Sequence, residues 1–247
     1  MSRQQGSTFI VVLVVIVVLV VVIAAGFFLP ALAKAQESAR RAACMNNTRQ
    51  IGLAMIQYAY DHDDQFMALA TGVDNEIVPA VDPETGEVAD HPARAGFAVL
   101  IQGGYVNNYR MFICPSSGDV LPEIGDAPGQ MTLDPMNALA CDLILRPECC
   151  SYGYDITKSH AAYPQCAILT DKPSDYVVDN YAKLSPGDMG TAEHNSDNHK
   201  GKGQNVFYND GHVKWSATSS PDDGDDPDIY VGGPGYENSY TDARIIR

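Results

Sequence analysis

The sequence predicts an α+β fold in which one long N-terminal helix packs on a small antiparallel sheet joined by long loops. Three observations carry this prediction. Phe9–Leu29 is an apolar run with no charge and no proline. After it, Cys44, Thr48, Ile51, Met55 and Tyr58 recur at spacings of four, three, four and three, which places them on one stripe of a helix. Beyond residue 150, short apolar runs alternate with turn residues, and one pair of runs meets at Asp210-Gly211, a strong hairpin signal.

The elements follow in chain order. Residues 1–8 form a short leader, expected on the cytoplasmic side. Residues 9–33 read as a transmembrane helix, since about 20 apolar residues in a helix span about 30 Å, the thickness of a bilayer's hydrocarbon core. A cleaved secretory signal has a shorter apolar region. A buried soluble helix has no need to be apolar on every face. Residues 34–62 continue the helix in amphipathic form, with Arg40, Arg41, Arg49 and Gln57 off the stripe. Pro30 lies inside the helical run, where it is expected to kink or break it locally. Asp61-His62-Asp63-Asp64 is the expected stop.

Residues 63–218 form the globular domain. Phe97–Ile101 reads as a short helix before Gly103-Gly104, and Tyr109–Pro115 as a segment entering a turn. Ser151–Ile156, Ala167–Thr170 and Gln204–Tyr208 are strand candidates, the last turning through Asp210-Gly211 into His212–Trp215. Residues 219–247 are an acidic segment rich in Gly, Pro and Tyr.

The formal net charge of -15 argues against nucleic-acid binding, which needs clustered Lys and Arg. Six cysteines (Cys44, Cys114, Cys141, Cys149, Cys150 and Cys166) include no C-x-x-C pair, so a zinc ribbon is not expected. They are disulfide candidates for an oxidising compartment, with buried thiols as the alternative. Adjacent Cys149 and Cys150 rarely bond to each other, and Cys141 is a plausible local partner for one of them. Only Arg3 flanks the apolar run on its N-terminal side, whereas Lys34, Arg40, Arg41 and Arg49 follow it. Taken alone, that imbalance places the domain in the cytoplasm. The cysteines point the other way, and the domain is expected outside.

Several segments together resemble type IV pilin-like proteins, and most of all the pseudopilins of type II secretion and a large related bacterial group. They are Leu29-Pro30-Ala31-Leu32-Ala33-Lys34-Ala35, Ser38-Ala39-Arg40, Cys44, Gln50–Ala54, Phe112-Ile113-Cys114-Pro115-Ser116 and Ser151-Tyr152-Gly153-Tyr154. Near the C-terminus that group carries a His followed about nine residues later by Asp-Gly; here His199 is followed, after ten residues, by Asp210-Gly211 and His212.

The resemblance implies a pilin-like fold and a single-pass protein of the bacterial inner membrane with a periplasmic or extracellular domain. It also implies cleavage by prepilin peptidase between Gly6 and Ser7, methylation of Ser7, and association with other pilin-like subunits through the N-terminal helix. One departure stands out. Such precursors carry Glu five residues after the cleavage Gly, where this chain has Val11, and its apolar run has no Glu at all. That buried carboxylate, costly in lipid, pairs with a neighbouring subunit's amine in the family's filaments. Pro30 also lies two residues further from Gly6 than usual. The expected function is therefore a structural, minor or tip-like pseudopilin subunit, with an uncleaved, membrane-anchored extracytoplasmic binding module as the alternative.

Chemical candidates are few. His194, His199 and His212 lie near Glu193, Asp197 and Asp210, which reads either as a transition-metal cluster or as a polar loop leading into a hairpin. Asp222, Asp223, Asp225 and Asp226 offer oxygen ligands to Ca²⁺ without EF-hand spacing, and a solvated tail is the alternative. No other cofactor is expected. Trp215, Tyr230, Tyr236 and Tyr240 read as a ligand surface or as cover for a thin core. No nucleophile motif such as G-x-S-x-G occurs, so catalysis is not expected.

Overall fold

The computed structural model describes residues 2–67, 92–120, 149–155, 159–162, 164–174, 194–220 and 229–230. Two compact units divide it, Met1–Arg40 and Arg41–Arg247. Helix α1, Ser2–Asp61, supplies the described part of the first unit and opens the second.

In the first unit, the apolar side chains from Val12 to Ile23, with Phe27, Phe28, Leu29 and Leu32, are exposed. Among the described residues, α1 is the one helix long and apolar enough to cross a membrane, and none of its apolar window is buried. That exposure separates it from the core helix of a soluble protein. Pro30 does not break α1: the helix runs on through it. The carbonyl that loses its donor to Pro30 belongs to Gly26, and a methyl group at Gly26 would touch nothing within 4 Å.

α1 stops where two consecutive residues turn left-handed, Asp63 at φ 52° and Asp64 at φ 59°. Asp tolerates that conformation better than most residues. The Asp64 N–H closes the helix on the Ala59 carbonyl at 2.9 Å, and His62 stacks on Tyr58 with ring centroids 3.8 Å apart.

The second unit holds α2 (Pro92–Gln102) and the strands β1 (Tyr152–Tyr154), β2 (Ala167–Asp171), β3 (Gln204–Tyr208) and β4 (Val213–Ser216). The strands form one antiparallel sheet in the order β1-β2-β3-β4, with an irregularity between Ala167 and Leu169. Each strand falls on one of the predicted runs or on the run that follows the Asp210-Gly211 turn, where Gly211 takes φ 88°.

Strand alternation divides the sheet between two cores. One face meets α1 and α2 through Tyr152, Tyr154, Leu169 and Phe207, which pack with Ile51, Met55, Phe97, Leu100 and Phe112. The other face carries Ala167, Val206 and Tyr208 under Ile229 and Tyr230. The predicted stripe is the buried one: Cys44, Thr48, Ile51 and Met55 are fully buried, and Tyr58 is partly so.

Across the helix-facing side, the register produces two rows of different character. Tyr154 pairs with Leu169, Leu169 with Phe207 and Phe207 with Val213, an apolar row. One step along, Tyr152 pairs with Asp171, whose carboxyl group reaches Asn205, and Asn205 pairs with Trp215. Gly52 of α1 sits over the apolar row, where a Cβ would come within 2.5 Å of the Phe207 ring. Arg41 and Cys44, further back along α1, meet the polar row, Arg41 lying 4.2 Å from the Trp215 ring centroid.

Candidate functional site

The polar row is where chemistry-bearing side chains converge. Asp171 ends β2, its side chain turned to the helix face by the same alternation that buries Leu169. Its Oδ2 accepts from the Asn205 backbone N–H at 2.7 Å and from Asn205 Nδ2 at 3.3 Å. Its Oδ1 accepts from Asn198 Nδ2 at 2.9 Å and from the Cys44 thiol at 3.0 Å. Burying a carboxyl group is costly unless its oxygens find donors, and these contacts meet that requirement.

Cys44 comes from α1, one turn before Thr48, and its sulfur also lies 3.2 Å from the Tyr152 hydroxyl. Cys114 sits in the turn after a 3-10 segment at Tyr109–Phe112. Two bonds fasten that turn to the strand side: the Cys114 N–H donates to Ser151 Oγ at 2.9 Å, and the Ser151 N–H to the Phe112 carbonyl at 2.8 Å. A third, from Asn47 Nδ2 to the Ile113 carbonyl at 3.1 Å, fastens it to α1.

His199 ends a 3-10 turn, Asp197–His199, capped by Ser196 and closed by Lys200 at φ 59°. Its Nε2 lies 3.5 Å from Cys114 Sγ and 3.7 Å from Asp171 Oδ2. Its ring meets Trp215 edge-on at 5.1 Å, and the Trp215 ring also carries Arg41. The ligand-type atoms of Cys44, Cys114, Asp171 and His199 all lie within 4.8 Å of one another, and all four residues are buried. Among the described residues this is the one group of three or more His, Cys, Asp or Glu side chains so placed.

The two thiols are unlike. Burial pushes Cys44 well above the usual thiol range, reinforced by its neighbours Cys114 and Asp171. The hydrogen bond with Cys44 brings Cys114 down to about 7 against burial, and His199 helps. Of the two, Cys114 is the more readily deprotonated thiol, and Cys44, which donates to Asp171, stays the neutral one. Burial also raises the Tyr152 phenol, keeping it a donor toward this cluster.

The predicted residues fall out as follows. His199 joins two of the predicted disulfide cysteines rather than His212. His212 instead stacks on Tyr208 at 4.3 Å and pairs with Asp210 at 2.5 Å in the β3–β4 turn. The Asp210 carboxyl is held below its usual range: partial burial opposes this, but the His212 backbone and ring N–H donors outweigh it. Of the two readings of His194, His199 and His212, the metal cluster does not form among the described residues, because the hairpin turn and the 197–199 turn present their side chains to different partners. His194 is buried.

Among Cys44, Cys114, Cys149, Cys150 and Cys166, all buried, no disulfide bond is present. Gly6 and Ser7 lie in α1. Cys141, Glu193, Asp222, Asp223, Asp225, Asp226, Tyr236 and Tyr240 lie outside the described residues. Tyr230 belongs to the core, its hydroxyl donating to the Asp171 carbonyl at 2.8 Å. Sequence reasoning misses Asp171, Asn198 and Asn205. Cys44 and Asp171 are 127 positions apart and Cys114 and His199 are 85 apart, so no local spacing joins them.

A family model described as "Protein of unknown function (DUF1559)" matches residues 33–66, the amphipathic half of α1 and its stop. No curated protein and no solved structure matches the chain.

Proposed function

We propose that this chain is a pseudopilin-like structural subunit, minor or tip-like, of a type II secretion or type IV pilus-like assembly. In this reading, α1 anchors it in a bacterial inner membrane and the second unit stands on the periplasmic or extracellular side. The observation that carries the reading is α1 itself. Within one unbroken helix, an exposed apolar half passes into a half whose buried stripe packs on the sheet. The match of residues 33–66 falls on the second of these halves.

Function follows from the split. Exposed side chains such as Val12, at 51%, and Phe27, at 76%, cost free energy in water and gain it in lipid or among other helices. Association among helices in lipid rests on close packing, which Ala24, Ala25 and Gly26 permit. The role is structural, with no catalytic step.

The mature N-terminus tests this. Intact mass of the chain from its native membrane is expected to correspond to a start at methylated Ser7, the product of prepilin peptidase. A chain beginning at Met1 would favour the anchored binding module. Leu19→Arg, near the middle of the apolar run, is expected to cost about 3 kcal/mol of insertion free energy. It should move a substantial share of the chain from the membrane to the soluble fraction, and unchanged retention would contradict the anchor.

A further inference from the structure

We propose that Cys44, Cys114, Asp171 and His199 bind one divalent metal ion of zinc's class in tetrahedral coordination. The donor set is the first argument. Two sulfurs, an imidazole nitrogen and a carboxyl oxygen suit a borderline-soft ion, and not Ca²⁺ or Mg²⁺, which take oxygen shells.

Geometry is the second argument. Bond lengths of about 2.0 Å to N or O and about 2.3 Å to S give tetrahedral ligand-to-ligand edges of about 3.3–3.8 Å. Cys114 Sγ to His199 Nε2, at 3.5 Å, already has the sulfur–nitrogen spacing, and His199 Nε2 to Asp171 Oδ2, at 3.7 Å, exceeds the nitrogen–oxygen edge by only a few tenths of an ångström. Cys44 Sγ lies 3.0 Å from the other oxygen of that carboxyl group, Oδ1, so the Asp171 carboxyl group borders both neighbours, and a small rotation of it brings a single oxygen to the shared ligand position.

The surroundings are the third. Outer contacts hold ligands in place in metal sites. Here Asn198 Nδ2, Asn205 Nδ2 and the Asn205 backbone N–H fix the carboxyl group, Tyr152 contacts the Cys44 sulfur, and Trp215 sets the His199 ring. Both amides turn their NH₂ groups toward Asp171, leaving the buried Oδ1 atoms of Asn198 and Asn205 without hydrogen-bond partners. That arrangement suits a centre rich in anionic ligands. A disulfide between Cys44 and Cys114 would give no reason for His199 and Asp171 to converge on the same point.

The ion would join four segments, α1, the Cys114 turn, β2 and the 197–199 turn, that are distant in sequence. It would act as a staple in a unit with a small sheet.

The test uses the full chain in detergent, reduced, stripped of metal and titrated with Co²⁺. The expected result is saturation at one ion per chain, with the intense visible bands of tetrahedral Co²⁺ and a thiolate-to-cobalt charge-transfer band, all displaced by Zn²⁺. Cys114→Ser should abolish the charge-transfer contribution of that sulfur and weaken Co²⁺ binding by at least about tenfold. His199→Gln should weaken it similarly, with far-ultraviolet circular dichroism unchanged. Cys166→Ser should leave the titration unaltered.

Absence of the bands at saturating Co²⁺ in the folded wild-type chain would overturn the proposal. So would their undiminished persistence in Cys114→Ser, or a Cys44–Cys114 disulfide in the chain as first isolated from its membrane. None of these outcomes bears on where the N-terminus is cut, so the pseudopilin reading stands or falls separately.

Discussion

Asp171→Ala is expected to destabilise the second unit by about 3–5 kcal/mol, the cost of leaving two or three buried donors without their acceptor. The reason is what remains. The Asn205 backbone N–H, Asn205 Nδ2 and the Cys44 thiol all lose an acceptor in a fully buried site, and a buried donor without a partner costs about 1–3 kcal/mol. Asn198 Nδ2 suffers less, because it also donates to the Ser151 carbonyl at 2.6 Å. Asp171→Asn keeps one acceptor but turns an NH₂ toward existing donors, so its loss should be smaller than that of Ala yet clearly measurable.

Denaturant unfolding of the chelator-treated full chain in detergent checks this. Trp215 is the chain's only tryptophan and touches His199, so its fluorescence reports directly on the site. A loss below about 1 kcal/mol for Ala, compared with the spread of ordinary surface changes, would show that the network carries little of the fold.

The second large effect concerns Phe207, whose ring fills the space under Gly52. Phe207→Ala is expected to cost about 3–5 kcal/mol through lost burial and the cavity left behind. Gly52→Ala alone places a methyl within 2.5 Å of that ring. Overpacking of this kind costs about 1–3 kcal/mol and outweighs the gain of about 1 kcal/mol from a better helix former.

The two changes should not add. With Phe207 truncated, the methyl introduced by Gly52→Ala occupies part of the cavity, so the double variant should be less destabilised than the sum by about 1–2 kcal/mol. The same fluorescence titrations supply all four corners of the cycle. Strict additivity would mean that α1 and β3 do not share this contact.

The Gly52–Phe207 pair also marks where sequence reading stops. Gly52 stands in the amphipathic stretch as a weak helix former with no local reason to be there. The reason is a ring from a distant strand, brought over it by sheet register. Cys44 and Cys114 illustrate the same limit. Each is legible as a buried or bonding cysteine, but neither spacing nor composition can match them with Asp171 and His199. Grouping His199 with His212 fails for a related reason: nearness in sequence does not survive a tight turn that aims successive side chains at different partners.

What the sequence determined by itself is everything set by local periodicity and turn chemistry. The apolar run followed by the Cys44–Tyr58 stripe specified one long helix with two environments. The Asp61–Asp64 cluster specified its end, and alternating runs with Asp210-Gly211 specified the strands. These signals are local because helix and strand repeat at about 3.6 and 2 residues, so a few turns suffice to write them. The tertiary structure alone decided that Gly52 must be small and that four segments deliver two sulfurs, an imidazole and a carboxyl group to one buried point. Those outcomes depend on which strand neighbours which and in what register, a choice made by the packing of the whole unit and recorded in no single stretch of the chain.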